Sequence, residues 1–102
     1  MRLPTKFLKI FGKKCPVENK KMEENMGEYK AYSNGTVRVR IDMDQHSDQQ
    51  EALGTLFHES FHAMCCRLNL GLSPDIEEIL ASNTEILLTE NFKLSIKRNR
   101  WK

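Results

Sequence analysis

Hydrophobic and polar residues alternate most clearly in the run Val37–Ile41, which reads Val-Arg-Val-Arg-Ile. A period of two places every second side chain on the same face of a strand, so the aliphatic residues are expected to face the core. The arginines are expected to face solvent or a substrate. A second β-prone run, 28–33, precedes this one, and Asn34-Gly35 separates the two. Because Asn-Gly is a preferred sequence for a type I′ turn, the segment predicts a β-hairpin.

A second hairpin is predicted nearer the N-terminus. Phe7–Phe11 is expected to form its first strand, residues 12–14 its turn and Cys15–Val17 its return. Pro16 has no N–H group to donate, which favours a position at the edge of the sheet for the returning strand. Together the two hairpins predict a small antiparallel sheet.

Beyond residue 47 the apolar residues recur at spacings of three and four, which predicts a helix from about Asp48 to Leu70. Ser47 is the expected N-cap, with Gln50 completing a capping box. Gly71 is expected to end the helix as its C′ residue. The apolar stripe that should pack against the sheet consists of Leu53, Leu56, Phe57, Phe61, Met64 and Leu68.

A second helix is predicted to begin at Ser73-Pro74, a capping residue followed by a proline at the first helical position, and to run to about Asn91. Since only a few residues separate the two helices, they are expected to pack as neighbours. The sequence therefore predicts an α+β fold in which the antiparallel sheet packs on the first helix and a second, C-terminal helix follows. We expect one domain spanning 1–102, with mobile basic ends at 1–5 and 95–102.

Composition narrows the class of protein. The chain has 102 residues, of which 39% are hydrophobic and 29% charged, as in ordinary globular domains. It has no apolar run of membrane-spanning length, and its N-terminus is a poor signal peptide. An odd number of cysteines, Cys15, Cys65 and Cys66, favours a reducing compartment. We therefore expect a cytoplasmic protein that does not bind a membrane.

Basic residues are concentrated towards both ends of the chain, although the formal net charge is only +2. Such ends could contact nucleic acid. The sequence lacks the interleaved aromatic residues of a single-strand binder and has no recognisable helix-turn-helix. Nucleic-acid binding is therefore ranked last among the candidate functions.

The candidate chemistry lies in the first predicted helix, in His58-Glu59-Ser60-Phe61-His62. Two histidines four residues apart lie one above the other on a helix, so both imidazoles can bind one tetrahedral cation. Glu59 is then placed to act as a general base on a water bound to that cation. A lone histidine beside an apolar stripe is usually a core residue, but this pair with Glu59 between them favours a metal site.

A third ligand is expected from the second helix, because the two helices should be neighbours. Its candidates are Glu77, Glu78 and Glu85. Glu78 and Glu85 share a helix face with Ala81 and Ser82, whose small side chains would let the helices approach closely. Glu78 is chosen, with Glu77 and Glu85 as the reserves.

Three other features are assigned no chemistry. His46 is expected on the surface, and Cys65 is expected to be a buried small apolar residue. The Asp42-Met43-Asp44 segment has the Asp-x-Asp spacing of a calcium loop. It lacks the central glycine and closing glutamate of such a loop, so a calcium site is not expected.

In the order of its elements and motifs the chain resembles the minimal zinc-metallopeptidase domains of phages and prophages, which are related to ImmA/IrrE-type and SprT-like gluzincins. The resemblance covers most of the chain. It rests on the opening hairpin Phe7–Val17, Gly27-Glu28-Tyr29, the strand Val37–Ile41, the segment Thr55–Ala63 and Glu77-Glu78-x-x-Ala81. A metzincin pattern does not fit, because Cys65 and Leu68 stand where its glycine and third histidine would be.

The resemblance implies a minimal zincin-like fold with one Zn²⁺ per chain, bound by His58, His62 and Glu78. The position of Glu78 fits the family's Glu-x-x-Ala pattern. Glu59 is implied as the base of a peptide hydrolase in the cytoplasm of a bacterial host. The implied partner is a protein or peptide substrate, such as a repressor or a host protein.

Two features of the mechanism stay open at this point. The exposed edge of the Val37–Ile41 strand is expected to hold an extended substrate, and Tyr29 and Tyr32 are the candidates for stabilising an oxyanion.

The alternative function is a catalytically silent regulator that binds a protein and is stabilised by its metal, since a structural metal contributes much to the stability of so small a domain.

Overall fold

The computed structural model describes residues 2–97 of the chain. A four-stranded sheet is followed by two helices, of which α1 packs on the sheet and α2 packs along α1. The α+β class is thereby confirmed. The elements are β1 (Phe7–Ile10), β2 (Lys13–Asn19), β3 (Gly27–Ala31), β4 (Val37–Ile41), α1 (Gln49–Leu68) and α2 (Pro74–Asn91), with one 3-10 turn at Met43–Gln45.

The sheet has the strand order β1-β2-β4-β3 and is mixed. Both predicted hairpins are present as antiparallel pairs, but they join through a parallel pairing of β2 with β4, in which Val17 lies opposite Val39. The expectation of a purely antiparallel sheet was wrong at this pair. The strand β4 buries all three of its aliphatic side chains, and a central position gives these side chains the most apolar surroundings.

Pro16 does not place β2 at an edge, contrary to the prediction from its missing N–H group. The strand β2 lies between β1 and β4. Pro16 pairs only with Phe7 of β1, and the pairing with β4 begins one residue later, at Val17. The proline therefore stands where no second strand requires its N–H.

The turns of the two hairpins differ from expectation. Phe11 and Gly12 link β1 to β2 and both have positive φ, 52° and 80°, which is the type I′ pattern of a two-residue loop. In the β3–β4 hairpin only Gly35 has positive φ. The side chain of Asn34 instead accepts hydrogen bonds from Thr36, so the type I′ turn predicted at Asn34-Gly35 was wrong.

The core lies between the sheet and α1. Because the side chains of β4 alternate, Val37, Val39 and Ile41 are buried, whereas Arg38 and Arg40 form ion pairs with glutamates on the outer face of the sheet. The inward and outward faces predicted for this strand are confirmed. Leu53 and Leu56 of α1 pack in the same cluster, together with small residues of that helix such as Ala52 and Ala63.

The helix α1 begins and ends one or two residues from the predicted points. Its N-cap is Asp48 rather than Ser47, and the Asp48 carboxylate accepts the N–H of Glu51. Aspartate competes well for this position because its charge also interacts with the positive end of the helix. Asn69 adopts the left-handed conformation that Gly71 was expected to supply, as asparagine tolerates it.

The apolar stripe predicted for α1 is only partly buried. Leu53 and Leu56 are buried, but Phe57, Phe61 and Met64 are half-buried and Leu68 is 47% exposed. The centre of the buried face runs through small residues, which allow α1 to lie close to the sheet. Cys65 is buried as expected.

The second helix begins at Pro74 with Ser73 as its N-cap and ends at Asn91, as predicted. The chain then returns along α1, where Gln50 accepts the N–H of Leu94 and donates to the carbonyl of Phe92. Leu3, Leu94 and Ile96 pack against the core. Of the ends expected to be mobile and basic, Met1 and 98–102 lie outside the described residues. Within the described part of the chain, no helix has the length and apolar character needed to cross a membrane.

His46 is buried, at 6% exposure, so its predicted surface position was wrong. Its Nδ1 lies 2.7 Å from the carbonyl oxygen of Asp42, and its Nε2 lies 2.8 Å from Oγ1 of Thr55. The ring thus connects the 3-10 turn to α1 with both nitrogens paired, which makes burial of a polar side chain acceptable. The Asp42 carboxylate accepts backbone N–H groups of Met22 and Asp44.

Candidate metal centre

The helix α1 carries His58 and His62 on one face, one turn apart. Their Nε2 atoms lie 3.3 Å from each other, and both side chains are almost fully covered, at 13% and 12% exposure. Because residues four apart in a helix project in the same direction, the two ring nitrogens point to one position. This is the convergence that the spacing of the two histidines predicts.

The helix α2 brings Glu78 to the same position. Its Oε1 atom lies 3.1 Å from Nε2 of His58 and 2.9 Å from Nε2 of His62. The other carboxylate oxygen accepts a hydrogen bond from Ser82 one turn further along α2. Of the three candidate ligands on this helix, Glu78 is the one whose carboxylate meets both Nε2 atoms.

These three side chains fit a metal ion. Their ligand atoms all lie within 4.8 Å of one another. A tetrahedral ion with bonds of about 2.0–2.1 Å would hold its ligand atoms about 3.3 Å apart, close to the 2.9, 3.1 and 3.3 Å observed. Two imidazoles and a carboxylate are donors that divalent transition metals bind well. The His58, His62 and Glu78 group can therefore bind a metal ion.

Glu77 and Glu85, the other two candidates, contact the far side of the imidazoles. Glu85 Oε1 lies 2.9 Å from Nδ1 of His58, and Glu77 is hydrogen-bonded to Nδ1 of His62. Since a carboxylate only accepts hydrogen bonds, the hydrogen of each contact at Nδ1 belongs to the imidazole, and a metal bound at Nε2 would leave that hydrogen in place. All three glutamates thus serve the site, but only Glu78 in the position of a ligand.

Small residues let α2 come close enough for these contacts. Ala81 is fully buried at the crossing of the helices. On the α1 side, a Cβ atom on Gly54 would lie 2.8 Å from Cγ2 of Thr89 and 3.3 Å from a carboxylate oxygen of Glu85. The close approach predicted from Ala81 is present, and Gly54 is its counterpart on α1.

Glu59 lies beside the two histidines in the same cleft. Burial raises the pKa of its carboxyl, and the negative charges of Glu78 and Glu85 act in the same direction, while the two histidines oppose them. No hydrogen bond from residues 2–97 engages this carboxylate. It is therefore available to a water molecule or a substrate group in the cleft.

Gly27 at the start of β3 sets how closely the sheet edge approaches Glu59. A Cβ atom at this position would lie 2.8 Å from Cγ2 of Thr55 and 3.1 Å from Cγ of Glu59. Real side chains essentially never come so close, so only glycine fits without a shift of its neighbours. Gly27 thus allows the end of β3 to form one wall of the cleft.

The cleft itself is open and has a volume of about 590 Å³. One wall is the edge strand β3 with the residues before it, and the others are α1 and α2. The strand β4 cannot offer a free edge, because β2 and β3 pair with it on both sides. The expectation that an extended substrate pairs with Val37–Ile41 was therefore wrong. The free edge at the cleft belongs to β3.

Of the two tyrosines considered for an oxyanion, only Tyr29 lies at the site. Its ring stacks on the imidazole of His62 with centroids 5.5 Å apart and planes 15° apart. Tyr32 lies away from the cleft, where Arg40 donates a hydrogen bond to its hydroxyl oxygen. The observed contact of Tyr29 fixes the plane of the His62 ring. An oxyanion role for Tyr29 stays a prediction.

The electrostatics of the ligand group favour a cation. Burial alone would lower the pKa of His62, but the hydrogen bonds with Glu77 and Glu78 outweigh it, so the pKa is raised. Partial burial would raise the pKa of Glu78, but hydrogen bonds with Ser82, His62 and His58 outweigh it and the pKa is lowered. Both shifts reflect the hydrogen bonds between the imidazoles and the carboxylates, which favour the protonated imidazole and the ionised carboxylate.

Sequence reasoning missed the contacts made by Gly27, Gly54 and Tyr29. Each acts through packing between elements distant in the chain, which a single sequence does not reveal. Glu77 and Glu85 were found, because they share the helix with Glu78, but their roles as partners of Nδ1 depend on the angle at which the helices cross.

Comparison with known proteins returned no match: no family model fits the chain, and neither the curated proteins nor the solved structures include a significant match.

Proposed function

We propose that this protein is a zinc-dependent peptide-bond hydrolase with one zinc ion per chain. The observation that carries the proposal is the convergence of His58, His62 and Glu78 on one point, beside the half-buried Glu59 and within an open cleft. Two imidazoles, one carboxylate and room for a fourth ligand are the donor set of catalytic zinc sites. A structural zinc site is normally closed by four protein ligands, and the described residues bring only three together here.

Zinc bound at such a site acidifies a water molecule and polarises a carbonyl group. Glu59 accepts a proton from the attacking water and then delivers it to the nitrogen of the departing amine. Burial raises the pKa of the Glu59 carboxyl, which makes its carboxylate a stronger base for the first step, and a carboxylic acid remains acidic enough to protonate an amine in the second. With a metal at Nε2, Glu77 and Glu85 would hold each imidazole in the tautomer that carries its hydrogen on Nδ1.

The free edge of β3 supports a peptide as the substrate. A strand at a sheet edge presents unpaired N–H and C=O groups, with which an extended peptide can form main-chain hydrogen bonds. Residues Met26 to Tyr29 lie along the cleft that contains Glu59. A peptide paired there would pass the ligand group with its backbone held in place, whatever its side chains.

Glu59→Gln provides the test of the proposed reaction. The zinc-loaded full chain and the variant are each incubated with a pool of denatured proteins and peptides, and new N-termini are identified by mass spectrometry. We expect cleavage by the natural protein and a loss of at least a hundredfold in the variant, with the same zinc content in both. Equal cleavage by both proteins would contradict the role of Glu59.

The alternative function, a catalytically silent regulator stabilised by its metal, makes a different prediction in the same experiment. The protein would bind zinc and cleave nothing in the pool, with or without Glu59. Nucleic acid is a poor fit to the cleft, because none of the described residues that line it is a lysine or an arginine. These are the side chains that neutralise phosphates in most nucleic-acid sites.

A further inference from the structure

The outer face of α2 is apolar and exposed. Five aliphatic side chains form a stripe along it, each between 43% and 59% exposed, and Ala81 is the only buried residue of this helix. A helix on the surface of a domain normally turns its apolar stripe inward. We call this surface the outer stripe of α2. It consists of Ile76, Ile79, Leu80, Ile86 and Leu87.

The outer stripe is separate from the metal centre. With 100° of rotation per residue, the outer stripe is centred on the face of α2 opposite Ala81 and Glu85. Glu78 also lies well away from the stripe. Glu78 and Glu85 point towards α1 and the histidines. The side of α2 that faces α1 is thus occupied by the polar groups of the site, which is why its apolar residues remain outside. A partner on the outer stripe would leave the cleft open.

We propose that the outer stripe binds a second copy of this chain, with the two α2 helices antiparallel and a two-fold axis passing through Asn83. The sequence of the stripe is symmetric about this residue. Ile-Leu occurs three and four positions before Asn83 and again three and four positions after it. An antiparallel copy therefore sets Ile79 opposite Leu87 and Leu80 opposite Ile86, which makes the surface complementary to itself, as a two-fold interface requires.

Asn83 suits a position on the axis. Its Nδ2 donates one hydrogen bond to the carbonyl of Ile79 in its own helix, at 2.7 Å. The second N–H and the carbonyl oxygen of the amide can pair with Asn83 of the second copy, so neither group is left without a hydrogen bond when the interface is buried. A single asparagine among apolar residues is a known way to fix the register of paired helices.

The charges near the ends of α2 favour the antiparallel arrangement. Asp75 lies near the start of α2 and Lys93 just beyond its end, whereas Glu90 lies in line with Asn83 and comes opposite Ile76 of the second copy at the margin of the contact. Parallel helices would place Asp75 next to Asp75 and Glu90 next to Glu90. Antiparallel helices bring Lys93 of one copy towards Asp75 of the other and place opposite ends of the helix dipoles side by side.

The apolar area of the outer stripe approaches what a dimer interface needs. Five aliphatic side chains, each about half exposed, expose roughly 500 Å² of apolar surface, near the upper end of what monomers carry in one patch. Leu72 and Phe92, just outside either end of the helix, are also exposed. A standard interface buries about 800 Å² on each partner, so the outer stripe supplies most of it.

The mass of the full chain in solution tests the proposal. Sedimentation equilibrium from micromolar to submillimolar concentration should give twice the mass of one chain. Leu87→Glu should return it to the mass of one chain, since each dimer would then bury two carboxylates against Ile79. The control is Leu70→Glu, which changes another exposed leucine, outside α2. Circular dichroism checks that both variants fold. A single-chain mass at every concentration would overturn the proposal and leave the stripe to another partner.

Cysteine cross-linking tests the geometry independently. In a Cys66→Ser background, which removes the exposed thiol, Asn83→Cys should form an interchain disulfide under mild oxidation. Ile76→Cys should not, because seven residues from the axis the two copies of this position are separated by about 21 Å along the helices, beyond the reach of a disulfide. Cross-linking at both positions would show parallel helices and overturn the antiparallel dimer, and cross-linking at neither would overturn the interface.

Discussion

The Oε1 atom of Glu85 lies 2.9 Å from Nδ1 of His58, on the side of the ring that faces away from the point where the ligand atoms meet. Glu77 makes the equivalent contact with His62. A carboxylate behind a metal-binding imidazole fixes both the ring and its tautomer and raises its basicity as a ligand. In the proposed site the second helix would therefore contribute one ligand and the supports of the other two.

Removal of either support should weaken metal binding without abolishing it. Glu85→Gln and Glu77→Gln are each expected to lower zinc affinity by about 10–100-fold, measured by competition with a chromophoric chelator. The matched control is Glu90→Gln, an exposed residue of the same helix with the same change of charge. If the two support variants bound zinc as tightly as the control, the contacts with Nδ1 would have no bearing on the site.

Gly27→Ala should impair hydrolysis more than metal binding. The added methyl group would meet Thr55 at 2.8 Å and Glu59 at 3.1 Å, so β3 or the Glu59 side chain must move, while the three ligands lie on other elements. The expected result is a fall in the cleavage rate of about tenfold or more, since small displacements of a reacting group are costly. Cleavage rate and zinc content are measured on the same preparation.

A second substitution checks the cause of that loss. Thr55→Ser removes the Cγ2 atom that the new methyl group would meet but keeps the hydroxyl that contacts His46. The double variant Gly27→Ala/Thr55→Ser should recover part of the lost rate. No recovery, with Thr55→Ser alone fully active, would show that crowding against Thr55 is not the reason.

Asp42 should make the stability of the fold depend on pH in the acid range. Its carboxylate accepts hydrogen bonds from the N–H of Met22, the amide of Gln45 and the N–H of Asp44, with the largest effect from Met22, and its pKa is lowered. A group whose pKa is lower in the folded than in the unfolded chain stabilises the fold at pH above about 4, and this is lost as the pH falls through the folded-state pKa.

Asp42→Asn should therefore lower the free energy of unfolding at pH 7, and the difference from the natural protein should shrink below about pH 4. Urea unfolding at a series of pH values measures it. Asp44→Asn changes the exposed neighbouring carboxylate and is the control. A difference that is the same at both ends of the pH range would show that charge on Asp42 is not its cause.

The packing of α1 on the sheet predicts a contrast between two of its leucines. Leu56 is buried in the core, whereas Leu68 is 47% exposed. Leu56→Ala should cost about 2–5 kcal/mol of stability, and Leu68→Ala less than about 0.5 kcal/mol. Equal losses in chemical denaturation would mean that the face of α1 in contact with the sheet has been assigned wrongly.

Local signals in the sequence predicted much of this architecture. Alternation in Val37–Ile41 gave its two faces, and Ser73-Pro74 gave the start of α2, because each depends on residues adjacent in the chain. Pairing between distant segments was not predictable in this way. The parallel pairing of β2 with β4 depends on the burial of the whole of β4 in the centre of the sheet. No local pattern near Val17 predicts it.

The same distinction applies to the metal centre. His58 and His62 follow from helix periodicity alone, so their convergence could be predicted. The choice among Glu77, Glu78 and Glu85 depends on the rotation of α2 against α1, which Gly54 and Ala81 determine by their small size. The burial of His46 was missed because its partners, a backbone carbonyl and Thr55, come together only in the folded chain.

The most direct measurement of the central claim is the zinc content of the purified protein by elemental analysis under native conditions, beside His58→Ala and Glu78→Ala. A site made by His58, His62 and Glu78 predicts about one zinc ion per chain in the natural protein and a loss of zinc in both variants. Absence of zinc from the natural protein after reconstitution at neutral pH, or full retention of zinc by His58→Ala, would contradict the assigned site.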